Sequence, residues 1–319
     1  MHTDGLDDHP DLRHEKWIAE AKKRARREFR KQRRAARWKA GNGRAVTAAA
    51  VVAIAVLLFA LYREGEFPGV RDALDAPAAQ DFRIDPERPF RNTPADTWAD
   101  GDAGIAPPPA APVGEFTADQ VAEAYRLVKH AVVASRLDRA VIQDHDVDRY
   151  IGLLAYDLQD QMRQLYDGRH DGEASMVVTR IAKGQRLLPA APKVNGTMSA
   201  EAGQPGEIVV RTNYVFAYAF ESDREPTDPM DIVAVRRIAM TYVVRSGDSF
   251  APESNGLWTD AMAGYDYAIG CAAAKQGFLA PGISERPVPG AHTGEDVDDG
   301  PSEGYFDPNR SLEIRDSCG

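Results

Sequence analysis

Hydrophobic and polar positions divide the chain into stretches of different period. From Asp11 to Lys39 large apolar residues are sparse, Trp17, Ile18, Phe29 and Trp38 standing among Arg, Lys, Ala and Glu. These are good helix formers without a face for a core. Ala45–Tyr62 then reads AVTAAAVVAIAVLLFALY, eighteen residues with no charge, proline or glycine. At about 1.5 Å per residue such a helix spans roughly 27 Å, the thickness of a hydrocarbon core. Its polar groups are only Thr47 and the Tyr62 hydroxyl, so it lacks the polar stripe of a helix in a soluble core. Residues 63–113 carry nine prolines and end in IAPPPAAPVGEF, a poor strand or helix.

Regular periodicity returns near Glu115. Thr117 and Gln120 form a capping-box pattern, followed by Val121, Ala124, Tyr125, Val128 and Val132 at helical spacing. A second helix is predicted from Asp146 or Asp148, with the stripe Ile151, Leu154, Leu158, Met162 and Leu165, ending at Asp167-Gly168. Strand character follows at 176–182 and 193–200, then most clearly at 207–221. There Val210, Thr212, Tyr214, Phe216, Tyr218 and Phe220 alternate with Arg211, Asn213 and small apolar residues. Residues 231–245 and 257–270 complete the predicted sheet. Long strands at hairpin spacing argue for antiparallel pairing. The expected fold class is α+β, with N-terminal helices packed on a curved antiparallel sheet and one transmembrane helix ahead of them.

The expected organisation is a basic cytoplasmic tail at 1–44, a membrane helix at 45–62, and a Pro/Asp-rich linker at 63–114. A folded domain at 115–281 and an acidic tail at 282–319 complete it. Charge sets the orientation. Residues 1–44 hold 14 Lys+Arg against 7 Asp+Glu, whereas residues 63–319 hold 25 against 42. A short basic flank stays cytoplasmic, so the C-terminal part is expected outside the cell membrane. A cleavable signal peptide competes with a signal anchor. The leader is long for one, and the small-x-small sequence Ala76-Pro77-Ala78 lies far downstream. Arg26-Arg27 resembles a twin-arginine export signal but sits well ahead of the apolar run. The lipid bilayer is one expected partner, and anionic inner-leaflet lipids, which attract each nearby cation by about 1 kcal/mol, are another. Nothing in the basic tail supplies a nucleic-acid-reading fold, and no nucleic acid is expected. The excess of Arg (30) over Lys (9) matches the coding bias of a high-GC bacterium such as an actinobacterium.

Cys271 and Cys318 are the two cysteines, and both lie in the part placed outside. An oxidising compartment permits a bond between them. Closing a loop of about 46 residues stabilises by roughly 3–4 kcal/mol in the chain-entropy model. Two free thiols remain the alternative.

Helices first and a sheet afterwards is the order of the NTF2-like, cystatin-like superfamily, which this chain resembles in element order and not by a motif. Basic leader, single apolar helix and outer domain follow one another as in actinobacterial single-pass membrane proteins, including the Mce-associated membrane proteins. The resemblance covers about residues 13–281 at the level of architecture and leaves out the linker composition and the cysteine-ended tail. It implies that a pocket between sheet and helices is available, as in ketosteroid isomerases and SnoaL-like enzymes. The candidate pocket residues are Tyr214, Phe216, Tyr218, Phe220, Tyr265 and Tyr267, with Tyr242, Asp260 and Asp266 nearby. Tyr265 and Tyr267 share one strand parity and Asp260 and Asp266 the other, which weakens a base-and-donor pair. An aromatic core beneath the helices is the plainer account of the same residues.

Chemical motifs are otherwise wanting. The seven histidines lack ligand spacing, and the acidic run Asp296, Asp298, Asp299 and Glu303 departs from the EF-hand loop in its glycine and its twelfth position. No P-loop and no G-x-S-x-G is present. No catalytic, metal or cofactor residues are assigned, and no cofactor is expected. The expectation is a non-enzymatic interaction or structural module, with an envelope or membrane protein, or a second copy, as partner. A small-ligand-binding or SnoaL-like enzymatic domain is the alternative.

Overall fold

The computed structural model describes residues 85–285, 302–312 and 318. The basic tail at 1–44, the apolar segment Ala45–Tyr62 and the acidic run at 296–299 lie outside the described residues. Among the described residues, no helix is long and apolar enough to cross a membrane.

The elements run β1 (Ala99–Asp100), α1 (Ala118–Arg136), α2 (Arg139–Ile142), α3 (Asp148–Ile151), α4 (Tyr156–Gln164) and α5 (Asp171–Val177). They continue with β2 (Lys193–Ala202), β3 (Glu207–Ala219), α6 (Pro229–Ile232), β4 (Val233–Arg245), β5 (Gly256–Tyr267) and α7 (Cys271–Ala274). The five strands form one antiparallel sheet in sequence order, a plain meander.

This corrects the expected fold class. The described structure is a five-stranded antiparallel meander with one long helix, and its other α-helices are short, from four to nine residues. The transmembrane helix that was part of that expectation is absent from the described residues. The long second helix breaks into α3 and α4. Between them the Ala155 amide donates to the Leu257 carbonyl at 2.8 Å, so the chain bridges to β5 instead of continuing its own ladder. The strand expected at 176–182 begins as the end of α5. Its extended remainder makes one isolated bridge, Ile181 with Leu279.

α1 forms where the capping box predicts. The Gln120 amide donates to the Thr117 hydroxyl, and the Gln120 side chain accepts from the Thr117 amide. Its buried stripe, Val121, Ala124, Tyr125, Val128 and Val132, lies on the sheet together with Ile142, Ile151 and Leu158. The even positions of β3 face this helix-covered core.

The opposite face of β3 and β4 carries a second core. Val215, Ala217, Val233 and Val235 are covered there by Phe90 and Ala95 from one end of the chain and Phe306 from the other. The folded unit therefore begins before Glu115, because residues 85–114, expected to be linker, supply this cover and β1. The expected acidic tail contributes as well, through the 3-10 turn Ser302–Phe306. Cys271 and Cys318 are bonded, across a sequence separation of 47.

The β2–β3 pair has one point of very close approach. A Cβ at Gly196 would lie 2.2 Å from the Asn213 carbonyl oxygen and 2.6 Å from the Tyr214 Cα. Backbone cannot yield as a side-chain tip can, so Gly196→Ala is expected to destabilise the domain by about 1–3 kcal/mol in urea unfolding. An unchanged midpoint would show that the strands separate there at no cost.

Candidate functional site

Strand register separates the predicted aromatic pocket into two groups. Residues directly paired across an antiparallel ladder share a face. Phe216 pairs with Arg236, which pairs with Asp266, all beneath the helices. Val215 pairs with Arg237, which pairs with Tyr265, and Ala217 with Val235 and then Tyr267. Tyr214, Phe216, Tyr218 and Phe220 thus sit in the helix-covered core, each no more than 1% exposed. Tyr265 and Tyr267 lie on the other face.

On that other face, the C-terminal segment is the occupant. Tyr305 stacks flat on Tyr267, with centroids 4.0 Å apart, and meets Tyr265 edge-on at 5.8 Å. The Tyr265 hydroxyl donates to the Tyr305 carbonyl at 3.0 Å, and the Asn213 side-chain amide donates to the Pro308 carbonyl at 2.7 Å. Arg237 donates to the Arg310 carbonyl, and Trp98 packs edge-on against Phe306. The aromatic side chains of this face are therefore engaged by the chain itself.

Beneath the helices lies a polar cluster that sequence reasoning missed. Arg136, the last residue of α1, is 2% exposed, and Arg236, central in β4, is also 2% exposed. Arg236 holds Asp266 through both carboxylate oxygens, each at 2.6 Å, and donates to the Ser175 carbonyl at 3.1 Å. Arg136 donates to the Met176 carbonyl and, at 3.1 Å, to the Thr179 hydroxyl. Arg236 reaches the same hydroxyl at 3.4 Å. Tyr218 closes the network by donating to the Arg136 carbonyl at 3.1 Å.

Two cations are tolerated in this position because carbonyl oxygens converge on them. Ser175 and Met176 belong to the last turn of α5, and the C-terminal end of a helix carries partial negative charge. Burial, and then the neighbouring Arg236 charge, push the Arg136 guanidinium below its ordinary value. For Arg236 burial acts the same way, but the Asp266 carboxylate outweighs it and holds the guanidinium above its ordinary value. Burial raises the hydroxyl pKa of Tyr150, Tyr218 and Tyr242, and pushes that of Tyr214 up to about 12.

A third arginine lies close by. Arg180 pairs with Asp171 at 3.3 Å and stacks against the rings of Phe278, at 4.6 Å, and Tyr166, at 5.4 Å. The signal for this cluster was present in the sequence. Arg136 falls four residues after Val132 on the apolar stripe of α1, and Arg236-Arg237 interrupts the apolar run VAVRRIAM.

The remaining candidates stay apart. Asp260 is exposed on β5, and Asp266 is committed to Arg236. His130 is exposed on α1. His145 contacts the Ile181 carbonyl at 2.8 Å, and His170 caps α5 without a side-chain bond. Among the described residues, no group of three or more His, Cys, Asp or Glu is placed to hold a metal ion. In comparisons with known proteins, no family model, no curated protein and no solved structure matches this chain.

Removing the carboxylate leaves Arg236 buried without its counter-charge. Asp266→Asn is therefore expected to cost about 3–5 kcal/mol, read from the urea midpoint. A loss below 1 kcal/mol would mean that the carbonyls alone satisfy the guanidinium. The tyrosines set an alkaline limit. An unfolded tyrosine ionises near pH 10, whereas the buried ones hold their protons to higher pH. Above about pH 10 the unfolded chain binds fewer protons, so folding stability falls as pH rises toward the folded pKa values. Tyrosinate absorbance from the buried tyrosines should appear together with loss of far-UV ellipticity, and ionisation of the full tyrosine complement in a chain that keeps its ellipticity would contradict this.

Proposed function

We propose that this chain is a membrane-tethered extracytoplasmic module that acts by docking to other envelope or membrane proteins and not by catalysis. The observation that carries the proposal is the Cys271–Cys318 bond, since disulfides persist in oxidising compartments. The sequence supplies the rest of the support. Ala45–Tyr62 has the length and composition of a bilayer span, and the basic flank before it favours a cytoplasmic N-terminus. The layout of leader, apolar segment and outer domain is the one for which a likeness to Mce-associated membrane proteins was drawn, and we extend it to this chain as layout alone. Anionic lipid is the proposed partner of the basic tail. An envelope protein, or a second copy, is the proposed partner of the outer domain.

Topology and partnership can be tested together. After cell fractionation the full-length product is expected in the membrane pellet, and protease added to intact spheroplasts should remove the C-terminal domain and spare the basic tail. Crosslinking in those cells should capture the chain in a larger species. A soluble product, or a C-terminal domain resistant to external protease yet cleaved after lysis, would overturn the tethered orientation. A purely monomeric crosslinking pattern would overturn the docking role.

A further inference from the structure

Residues 302–312 lie as a strap on the sheet face opposite the helices, and their own hold on that face is narrow. Phe306 is the single buried residue among them, at 4% exposed, and it enters the second core with Trp98 edge-on to its ring at 5.7 Å. Tyr305 stacks on Tyr267 at 4.0 Å and carries the Arg310 guanidinium over its ring, also at 4.0 Å. The remaining attachments from the sheet are hydrogen bonds to main-chain carbonyls. Tyr265 donates to Tyr305 at 3.0 Å, Asn213 to Pro308 at 2.7 Å, and Arg237 to Arg310.

Ordering a chain costs conformational entropy at every residue, and here apolar burial offsets that cost at one position in the strap. Hydrogen bonds to carbonyls replace bonds to water, so their net contribution is modest. A covalent restraint makes up the difference. Cys271 follows Tyr267, the residue under Tyr305, by four positions, and its bond to Cys318 fastens the end of the chain to the segment leaving β5. Closing a loop this long removes much of the freedom the strap would gain by lifting away. Both cysteines are partly exposed, so a thiolate from solution can reach the bond.

We propose that the Cys271–Cys318 bond is a redox-sensitive fastener for this strap. Closed, it keeps Tyr305 and Phe306 on the sheet. Opened by a dithiol reductant, it lets the strap lift and presents Tyr265 and Tyr267 together with Asn213 and Arg237. The exchange is balanced. One thiolate of the reductant attacks a cysteine sulfur and breaks the bond, forming a mixed disulfide. The second thiol resolves that intermediate, leaving two thiols on this chain and the reductant as its own disulfide. In an oxidising compartment the closed form is the resting one. β3 and β4 keep their pairing, because it runs from Glu207–Arg245 to Ala219–Val233 and is covered on the other side by the helices. The inference uses the folded unit alone and does not depend on the membrane tether.

The test uses the full chain purified in detergent, with peptide-resolved hydrogen exchange measured before and after dithiothreitol. Alkylation reports whether two thiols have formed. Peptides covering residues 302–312 are expected to exchange about a hundredfold faster after reduction, while those from β3 and β4 stay as they were. Removal of dithiothreitol and addition of oxidised glutathione should restore the protection. The double variant Cys271→Ser, Cys318→Ser should exchange as the reduced parent does. Should that variant fail to fold, the reductant series on the parent decides alone. A bond that resists dithiothreitol in the folded chain would overturn the proposal, as would a rise in strap exchange smaller than tenfold. Loss of protection in β3 and β4 together with the strap would equally overturn it, showing a staple for the whole domain.

Discussion

The central pair β3–β4 has no solvent face along its lower half. A strand presents alternate residues to opposite sides, and here both sides are apolar: Tyr214, Phe216 and Tyr218 toward the helices, and Val215, Ala217 and Ala219 away from them. Two covers are therefore required. The helices between residues 118 and 177 supply one. The other cannot come from the same run of chain, and it is assembled from opposite ends of the folded unit, Phe90 and Ala95 before it and Phe306 after it. The meander leaves these ends free to reach the uncovered face, because β2 to β5 follow one another as antiparallel neighbours without crossovers.

That requirement explains why segments poor in regular structure belong to the fold. Residues 85–114 and 302–312 lack periodicity and serve as covers. They present single aromatic anchors where a helix would present a stripe. Tyr305 and Phe306 occupy adjacent positions in Ser302–Phe306, one stacking on Tyr267 and the other entering the second core. The bond between Cys271 and Cys318 ties the end of this cover to the chain that leaves β5 through α7. A cross-link acts by restricting the unfolded chain, and its effect grows with the length of loop closed, so a bond near the terminus restrains the whole cover.

Much of this was legible in the residues. The capping box at Thr117 and Gln120, the stripe of α1 and the alternation of β3 rest on local chemistry, the cysteine pairing on there being only two cysteines, and the structure places each of them. What was illegible depended on partners distant in sequence. The break between α3 and α4 comes from the Ala155 amide finding the Leu257 carbonyl, which no local propensity encodes. The division of the aromatic set follows from register. Tyr218 and Tyr265 look equivalent as aromatic strand residues, yet the pairings of β3 with β4 and β4 with β5 send them to opposite faces. The nine prolines ahead of the domain argued for a tether because proline disfavours regular structure, but it does not prevent burial of the phenylalanine beside it, as Pro89-Phe90 shows.

The arginine cluster is the feature whose presence packing alone does not require. A buried ion pair of good geometry seldom stabilises more than apolar residues of the same volume, and a buried cation without a carboxylate is worse. α5 offsets part of that cost by aiming its terminal carbonyls at both guanidinium groups. A carbonyl dipole, however, supplies hydrogen-bond acceptance and only partial charge. Asp171, which opens this helix, is taken up by Arg180, and Asp266 by Arg236. Arg136 has no carboxylate partner among the described residues, and it is held instead by the Met176 carbonyl and the Thr179 hydroxyl. An apolar residue at 136 would continue the stripe of Val132 and Val128, one and two turns before it. Arginine there ties the end of α1 to α5 and, through the Thr179 hydroxyl that Arg236 also reaches, to β4, so the helix layer and the sheet are joined by hydrogen bonds as well as by apolar contact.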